Sequence, residues 1–288
     1  MRNFAILLIW VLTTAATMAQ DRPFASFDLA SDEILADPHD LMFGPDGRLY
    51  VADKFGDRIA VFDPDTLEVI EMLGAGQFPG IHDISFGPDG LAYVAVTGLG
   101  RVDVLRIDGS TVEIVRSYPG LSRTEGALAH SNGRLYAMAS GTGQLVMFDG
   151  ENPPLAVGGL FGAHDVAEGL DGSIWVADNR RSQLVHLTAD LDLIEVLNGP
   201  EFGFIGPRYL DVDDFGRLVV ADQDAHRVLL IDPLQAVGSR VVGVIGDGMP
   251  GFGPGKFDDP EGVAVRGSQY FFADSDNNRI VRYSVVTN

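Results

Sequence analysis

One feature narrows the possible folds of this chain more than any other: a motif that returns six times. Pro38-His-Asp-Leu-Met-Phe-Gly-Pro-Asp-Gly-Arg-Leu-Tyr-Val-Ala-Asp53 aligns with Ile81-His-Asp-Ile-Ser-Phe-Gly-Pro-Asp-Gly-Leu-Ala-Tyr-Val-Ala-Val96. Counted at the position of His39, the copies begin at 39, 82, 125, 164, 208 and 261, with spacings of 43, 43, 39, 44 and 53. A propeller blade of four short strands takes about 40–45 residues, so the spacing predicts an all-β, six-bladed β-propeller.

Each copy has the same local chemistry. A short apolar strand runs into a turn such as Gly44-Pro-Asp-Gly47, where proline presets φ and glycine supplies a positive one. A second strand such as Leu49–Ala52 follows, built from residues that suit a pleated, buried surface. Five positions after the Asp53 position comes Arg or Gln, then an aliphatic residue: Arg58-Ile59, Arg101-Val102, Gln144-Leu145, Gln183-Leu184, Arg227-Val228 and Arg279-Ile280. The aspartates that end second strands, Asp53, Asp178, Asp222 and Asp274, are read as turn-holding acceptors that pair with this Arg or Gln.

The chain ends complete the count. From Glu261 onward 28 residues remain, too few for four strands, while Gln20–Pro38 adds 19 that include the strand-like Phe24–Leu29. The N-terminal strand is therefore expected to close the last blade and remove the open edges at the seam, making residues 20–288 a single domain. Residues 1–19 read as a signal peptide, with Arg2, the apolar run Phe4–Leu12, and Thr17 and Ala19 before the cleavage point. That run is shorter than the roughly 20 residues a spanning helix needs. The expected location is periplasmic or extracellular. With 41 acidic and 20 basic residues the net charge is −21, which repels phosphate backbones and anionic lipid. Neither a nucleic-acid partner nor membrane insertion is expected. A cysteine count of 0 excludes disulfides and thiolate metal sites.

First strands of propeller blades line the central channel, so the first repeat position should form a ring near one mouth. Its members are His39, His82, Glu125, His164, Arg208 and Glu261. Three imidazoles in one register suggest a divalent-metal site, with zinc the expected ion. Glu125 or Glu261 would ligate or act as acid–base, and Arg208 would grip a carboxylate. Asp40, Asp83 and Asp165 are expected to point the other way on alternating strands and to be structural. His130, His186 and His226 fall outside the register and are expected at the surface. Three loops, Gly74–Gly80, Gly199–Pro207 and Gly246–Pro260, should surround the same mouth. Among their aromatics, Phe78 and Phe257 read as packing residues and Phe202, Phe204 and Phe252 as ligand contacts.

The segments Ala273-Asp-Ser-Asp-Asn-Asn-Arg-Ile280 and Gly255-Lys-Phe-Asp-Asp-Pro-Glu-Gly-Val-Ala-Val265 resemble the NHL repeat across essentially the whole mature chain. The ring also resembles the active site of the peptidyl-α-hydroxyglycine α-amidating lyases, six-bladed NHL-type propellers. The resemblance implies zinc on His39, His82 and His164 and cleavage of a hydroxyglycine C–N bond. It implies a structural calcium held partly by backbone oxygens, and pocket roles for Arg208 and Tyr209. On this reading the substrate is a peptide or small molecule.

Two other functions stay open at this stage. A non-catalytic propeller would present its faces to a protein or glycan, with a structural metal or none. A gluconolactonase-like hydrolase would use carboxylate and amide ligands, against which the histidine-rich ring argues. Serine-hydrolase elbows, phosphate loops, dinucleotide fingerprints and H-E-x-x-H motifs do not occur in the sequence.

Overall fold

The computed structural model describes residues 22–287, and the signal peptide expected over residues 1–19 lies outside them. These residues form six antiparallel sheets of four strands each, arranged as the blades of a propeller. Blade one consists of Pro38–Phe43, Leu49–Asp53, Arg58–Phe62 and Val69–Leu73, and blades two to five repeat that order. Blade six takes Pro260–Arg266, Gln269–Asp274 and Arg279–Val286 from the C-terminal end. Its outermost strand is Phe24–Ala30, antiparallel to Arg279–Val286 with Phe24 opposite Val286. The expected seam is present.

Local chemistry explains why the repeat is so regular. In the first turn Gly47 has φ 79°, and Asp46 Oδ1 accepts the Arg48 amide at 3.1 Å. The five-residue offset follows from hairpin register. Asp53 faces Arg58, and the equivalent pairs are Val96/Arg101, Ala139/Gln144, Asp178/Gln183, Asp222/Arg227 and Asp274/Arg279. In blade one a short 3-10 turn, Lys54–Gly56, closes on Asp57 at φ 50°, which leaves only one register for the pair. The aspartates act as the sequence suggested. Asp53 takes the Arg58 Nε at 2.6 Å and the Ala36 amide at 2.6 Å, tying the incoming loop to the hairpin. Asp222 and Asp274 hold Arg227 and Arg279, together with the amides of Gly206 and Asp258.

The apolar core is divided into wedges, one in each gap between neighbouring blades. Phe78 packs between blades one and two and Phe257 between five and six, both fully buried as predicted. Each such side chain contributes about 1.5–3 kcal/mol of burial. His130 corrects an expectation: it is buried, with its ring against Tyr136 and Nε2 3.1 Å from the Gly172 carbonyl.

The inner strands hold a second correction. In five blades their pairing slips at the ring position: Pro38/Leu41, Ile81/Asp83, Thr124/Gly126, Pro207/Tyr209 and Pro260/Val263. A bulge suspends strict alternation, so a ring residue and its successor can both face the axis. Asp40 and Asp83 therefore do not turn away, and neither does Asp165, since Ala177 bonds the backbone of both His164 and Asp165. With Asp211 they line a channel cavity of about 190 Å³ bounded by inner-strand residues of all six blades.

Candidate functional site

The ring forms at one mouth of the channel. His39, His82, Glu125, His164 and Glu261 are buried, and Arg208 is half-buried. Two histidines are oriented the same way: Nδ1 of His82 lies 2.9 Å from the Gly80 carbonyl, and Nδ1 of His164 lies 2.9 Å from the Gly162 carbonyl. A carbonyl can only accept, so each Nδ1 carries the proton and each Nε2 keeps a lone pair. His164 Nε2 lies 3.2 Å from Glu125 Oε2, which also accepts Ser140 Oγ–H at 2.6 Å. Arg123 holds the other Glu125 oxygen at 2.8 Å.

His39 is different. It is 1% exposed, yet neither ring nitrogen has a hydrogen-bond partner. Its Nδ1 lies 3.1 Å from Glu261 Oε2, but the angle does not make a hydrogen bond, and that oxygen is orphaned too. The His39 and His82 rings meet edge to face at 4.5 Å. Glu261 Oε1 accepts from Gln223 at 2.7 Å, and Gln223 Oε1 in turn takes the Arg208 Nη1 at 2.6 Å.

Burial sets the charge states. Desolvation pushes His82 down to about 3 and holds His39 and His164 well below the ordinary histidine value, with His82 adding to the effect on His39 and Arg208 to that on His164. All three imidazoles are therefore neutral at neutral pH. Burial pushes the Glu261 carboxyl well above its usual range, partly offset by Arg208.

The structure brings some of the expected residues together and separates others. The side chains whose ligand atoms all lie within 4.8 Å of one another are Asp37, His39 and Glu261, so among the described residues the three histidines do not close into such a group. His164 Nε2 faces Glu125 Oε2 instead. Tyr209 is fully buried beside His39, its hydroxyl donating to the His82 carbonyl at 3.0 Å. Phe202 is 3% exposed in the wedge between blades four and five, a packing residue where a ligand contact was expected. Phe204 stacks on it at 5.2 Å. Phe252 is exposed but covers the Arg279 guanidinium at 3.7 Å.

Sequence reasoning missed Asp37, Arg123 and Asp259, each two positions before a ring residue. All three adopt left-handed backbone, with φ 61°, 49° and 56°. At the same offset Gly80 and Gly162 have φ 62° and 82°. Where glycine takes this conformation, its carbonyl accepts the histidine. Where a larger residue takes it, its side chain reaches the ring: Asp37 lies 3.5 Å from His39 and Arg123 2.8 Å from Glu125. Non-glycine residues held at positive φ concentrate at functional sites. The signal was legible as Asp, Gly, Arg, Gly, Gly, Asp two places before the ring.

No protein-family model and no curated protein matches the sequence. Solved structures do match. Virginiamycin B lyase from Staphylococcus aureus aligns with a TM-score of 0.63 at 11% identity, over 92% of this chain and 99% of that one. The likeness is one of fold. An auxiliary nutrient binding protein from Bacteroides thetaiotaomicron gives 0.72 at 13% identity, over 92% and 77%. The PQQ-bound aldose sugar dehydrogenase of Streptomyces coelicolor gives 0.66 at 14%, over 92% and 99%. Propellers that are lyases, binding proteins and dehydrogenases thus share this architecture, and function must be argued from the site.

Proposed function

We propose that this chain is an exported NHL-type propeller acting as a metal-dependent lyase at the histidine mouth, similar to the amidating lyases. The observation that carries the reading is His39: a buried imidazole with two unpartnered nitrogens, beside an unpartnered Glu261 oxygen. Buried polar atoms are almost always paired, so orphans gathered at a channel mouth point to a missing partner. A divalent cation suits the donors, which are neutral imidazole nitrogens and carboxylate oxygens without thiolate. His39, His82 and His164 are the proposed ligands, with Glu261 and Asp37 adjoining His39. When bound, such an ion supplies Lewis-acid polarisation of a substrate oxygen.

The chain's own groups supply the rest. Arg208 and Arg123 place positive charge at the mouth to orient a carboxylate. Glu261, whose carboxyl burial pushes well above its usual range, is suited to give up a proton, and Glu125 to take one. Virginiamycin B lyase has also been crystallised as a catalytically inactive histidine-to-alanine variant with quinupristin, so a propeller of this shape can depend on a single histidine.

A second reading, a non-catalytic ligand-binding propeller, is favoured by the internal pairing of Arg208 with Gln223 and of Glu125 with Arg123. Elemental mass spectrometry of the purified protein separates the two. About one equivalent of zinc, lost in the His39→Ala/His82→Ala/His164→Ala variant, is expected, followed by turnover of hydroxyglycine peptides. No metal after reconstitution sinks the metalloenzyme. Loss of metal in Asp37→Asn/Glu261→Gln, with retention in the triple variant, would move the ligand set to the carboxylates.

A further inference from the structure

Between blades four and five lies a separate cleft of about 320 Å³ that shares no lining residue with the ring. Its rim is apolar and unusually open to water: Leu170 is 68% exposed, Phe215 65% and Leu234 90%. Scattered exposed apolar residues are ordinary, but several converging on one cleft are not. On its wall three strands of blade four set Trp175, His186 and Glu195 side by side, since His186 pairs with Trp175 on one side and Glu195 on the other. Ser173 lies two residues before Trp175 and so on the same face.

The contacts among these groups are specific. The Ser173 hydroxyl is 2.7 Å from His186 Nε2. On the far side of the ring, His186 Nδ1 is 3.8 Å from Glu195 Oε1 and is buried without a hydrogen-bond partner. Arg240 Nη1 holds the other Glu195 oxygen at 3.2 Å. Trp175 stacks flat on the imidazole, with 3.8 Å between centroids and 8° between planes, fixing the ring in the line from serine to carboxylate. A nucleophile, a base within reach of it and an acid on the far side of the base are recognised by geometry, whatever their order in the chain; here the stacked Trp175 orients the base, and Glu195 stands 3.8 Å from it.

We propose that Ser173, His186 and Glu195 form a second active site, a serine esterase acting on neutral esters with an apolar acyl or aryl group. The apolar rim receives the hydrophobic part, while Asp171 and Glu195 beside the reacting groups exclude anionic substrates. Ser173 Oγ attacks the ester carbonyl carbon as its proton passes to His186 Nε2. The ester C–O bond breaks, and the leaving alkoxide takes that proton. Water then gives a proton to His186 and adds to the acyl-serine; the acid departs and the proton returns to Ser173. At rest the hydroxyl has a second acceptor, Asp171 Oδ1 at 2.5 Å, which substrate entry must displace. Leu170, on the adjacent turn, lines the same cleft, and its amide makes no hydrogen bond among the described residues.

The test is to treat the intact protein with an alkyl fluorophosphonate and map the adduct, and to follow hydrolysis of p-nitrophenyl butyrate. One adduct on Ser173 is expected, with ester turnover falling at least about 100-fold in Ser173→Ala and in His186→Ala. The His39→Ala/His82→Ala/His164→Ala variant should keep both labelling and turnover, so this site stands or falls independently of the metal reading. Absence of any adduct on the wild-type chain overturns the proposal without recourse to a variant. Unchanged turnover in a Ser173→Ala protein with a wild-type circular dichroism spectrum overturns it as well.

Discussion

The channel holds two sets of buried titratable groups, one ring position apart, and they are treated in opposite ways. In the middle of the channel Asp40 Oδ2 accepts the Ile84 amide at 3.1 Å, Asp165 Oδ2 the Leu210 amide at 2.7 Å, and Asp211 Oδ2 the Val265 amide at 2.8 Å. Each carboxylate binds the inner strand of the next blade, so these aspartates stitch blade to blade. At the mouth, by contrast, His39 and Glu261 are equally buried and leave nitrogens and an oxygen unpartnered. Similar burial therefore has two meanings. A paired group holds the fold, whereas an unpaired one is a cost that folding alone does not explain.

The sharpest way to break this contrast is to delete one member of each set. Asp165 accepts two amides, since its Oδ1 also takes Val166 N–H at 2.6 Å. Asp165→Ala strands both and should cost about 3 kcal/mol, read as a lowered urea midpoint at constant slope. His39→Leu removes orphaned atoms and keeps most of the volume, so it should change stability by less than about 1 kcal/mol. Equal losses in the two variants would mean that the mouth is as structural as the stitching.

Two joints are closed by glycine, and they sharpen the comparison. Blade three meets blade four at Gly126, where an added Cβ would stand 2.5 Å from the His164 carbonyl oxygen. Blade six meets blade one at Gly262, where it would stand 2.5 Å from the His39 carbonyl oxygen and 2.7 Å from Asp40 Cα. Close backbone approach replaces the carboxylate there. Gly126→Ala and Gly262→Ala should each cost about 2 kcal/mol, because the neighbour to be moved is backbone. Since those neighbours carry ring histidines, the same variants should weaken metal retention. Intact metal content with lowered stability would separate blade packing from ring geometry.

The six blades, the seam and the pairing of Asp53 with Arg58 were legible because they depend on local spacing that recurs. The ring residues were legible as a register for the same reason. What escaped depends on a non-local fact, the slip in pairing that five of the six ring positions show. Strict alternation sent Asp40, Asp83 and Asp165 away from the axis, and only the register slip between residues such as Ile81 and Asp83 brings them back. Phe202 misled for a different cause: an aromatic in a loop leading to the channel mouth reads as a rim residue, yet the gap between two blades must be filled and takes it. The Ser173, His186 and Glu195 set has no motif, because it is assembled across three strands by pairing.

The pH dependence of stability tests both sets at once. Burial raises Asp165 to about 7 and Asp211 to about 6 in the folded chain, against an unfolded value of 3.8. The native state therefore binds more protons than the unfolded state across that interval. The aspartate contribution is fully present below 3.8 and is lost as the pH rises toward 7. His82 works in the opposite sense: lowered to about 3 from 6.5, it leaves the unfolded chain with more protons, so its contribution is lost as the pH falls from 6.5 toward 3. Between about pH 4 and 6.5 the two slopes oppose each other, and the wild-type urea midpoint should be nearly flat there. Asp165→Asn removes the larger part of the falling component, so its midpoint should climb with pH relative to wild type. His82→Leu removes the rising component, so its midpoint should fall. Parallel profiles for all three proteins would show that neither set titrates as its burial demands, and the physical difference between the stitched ring and the open one would be lost with it.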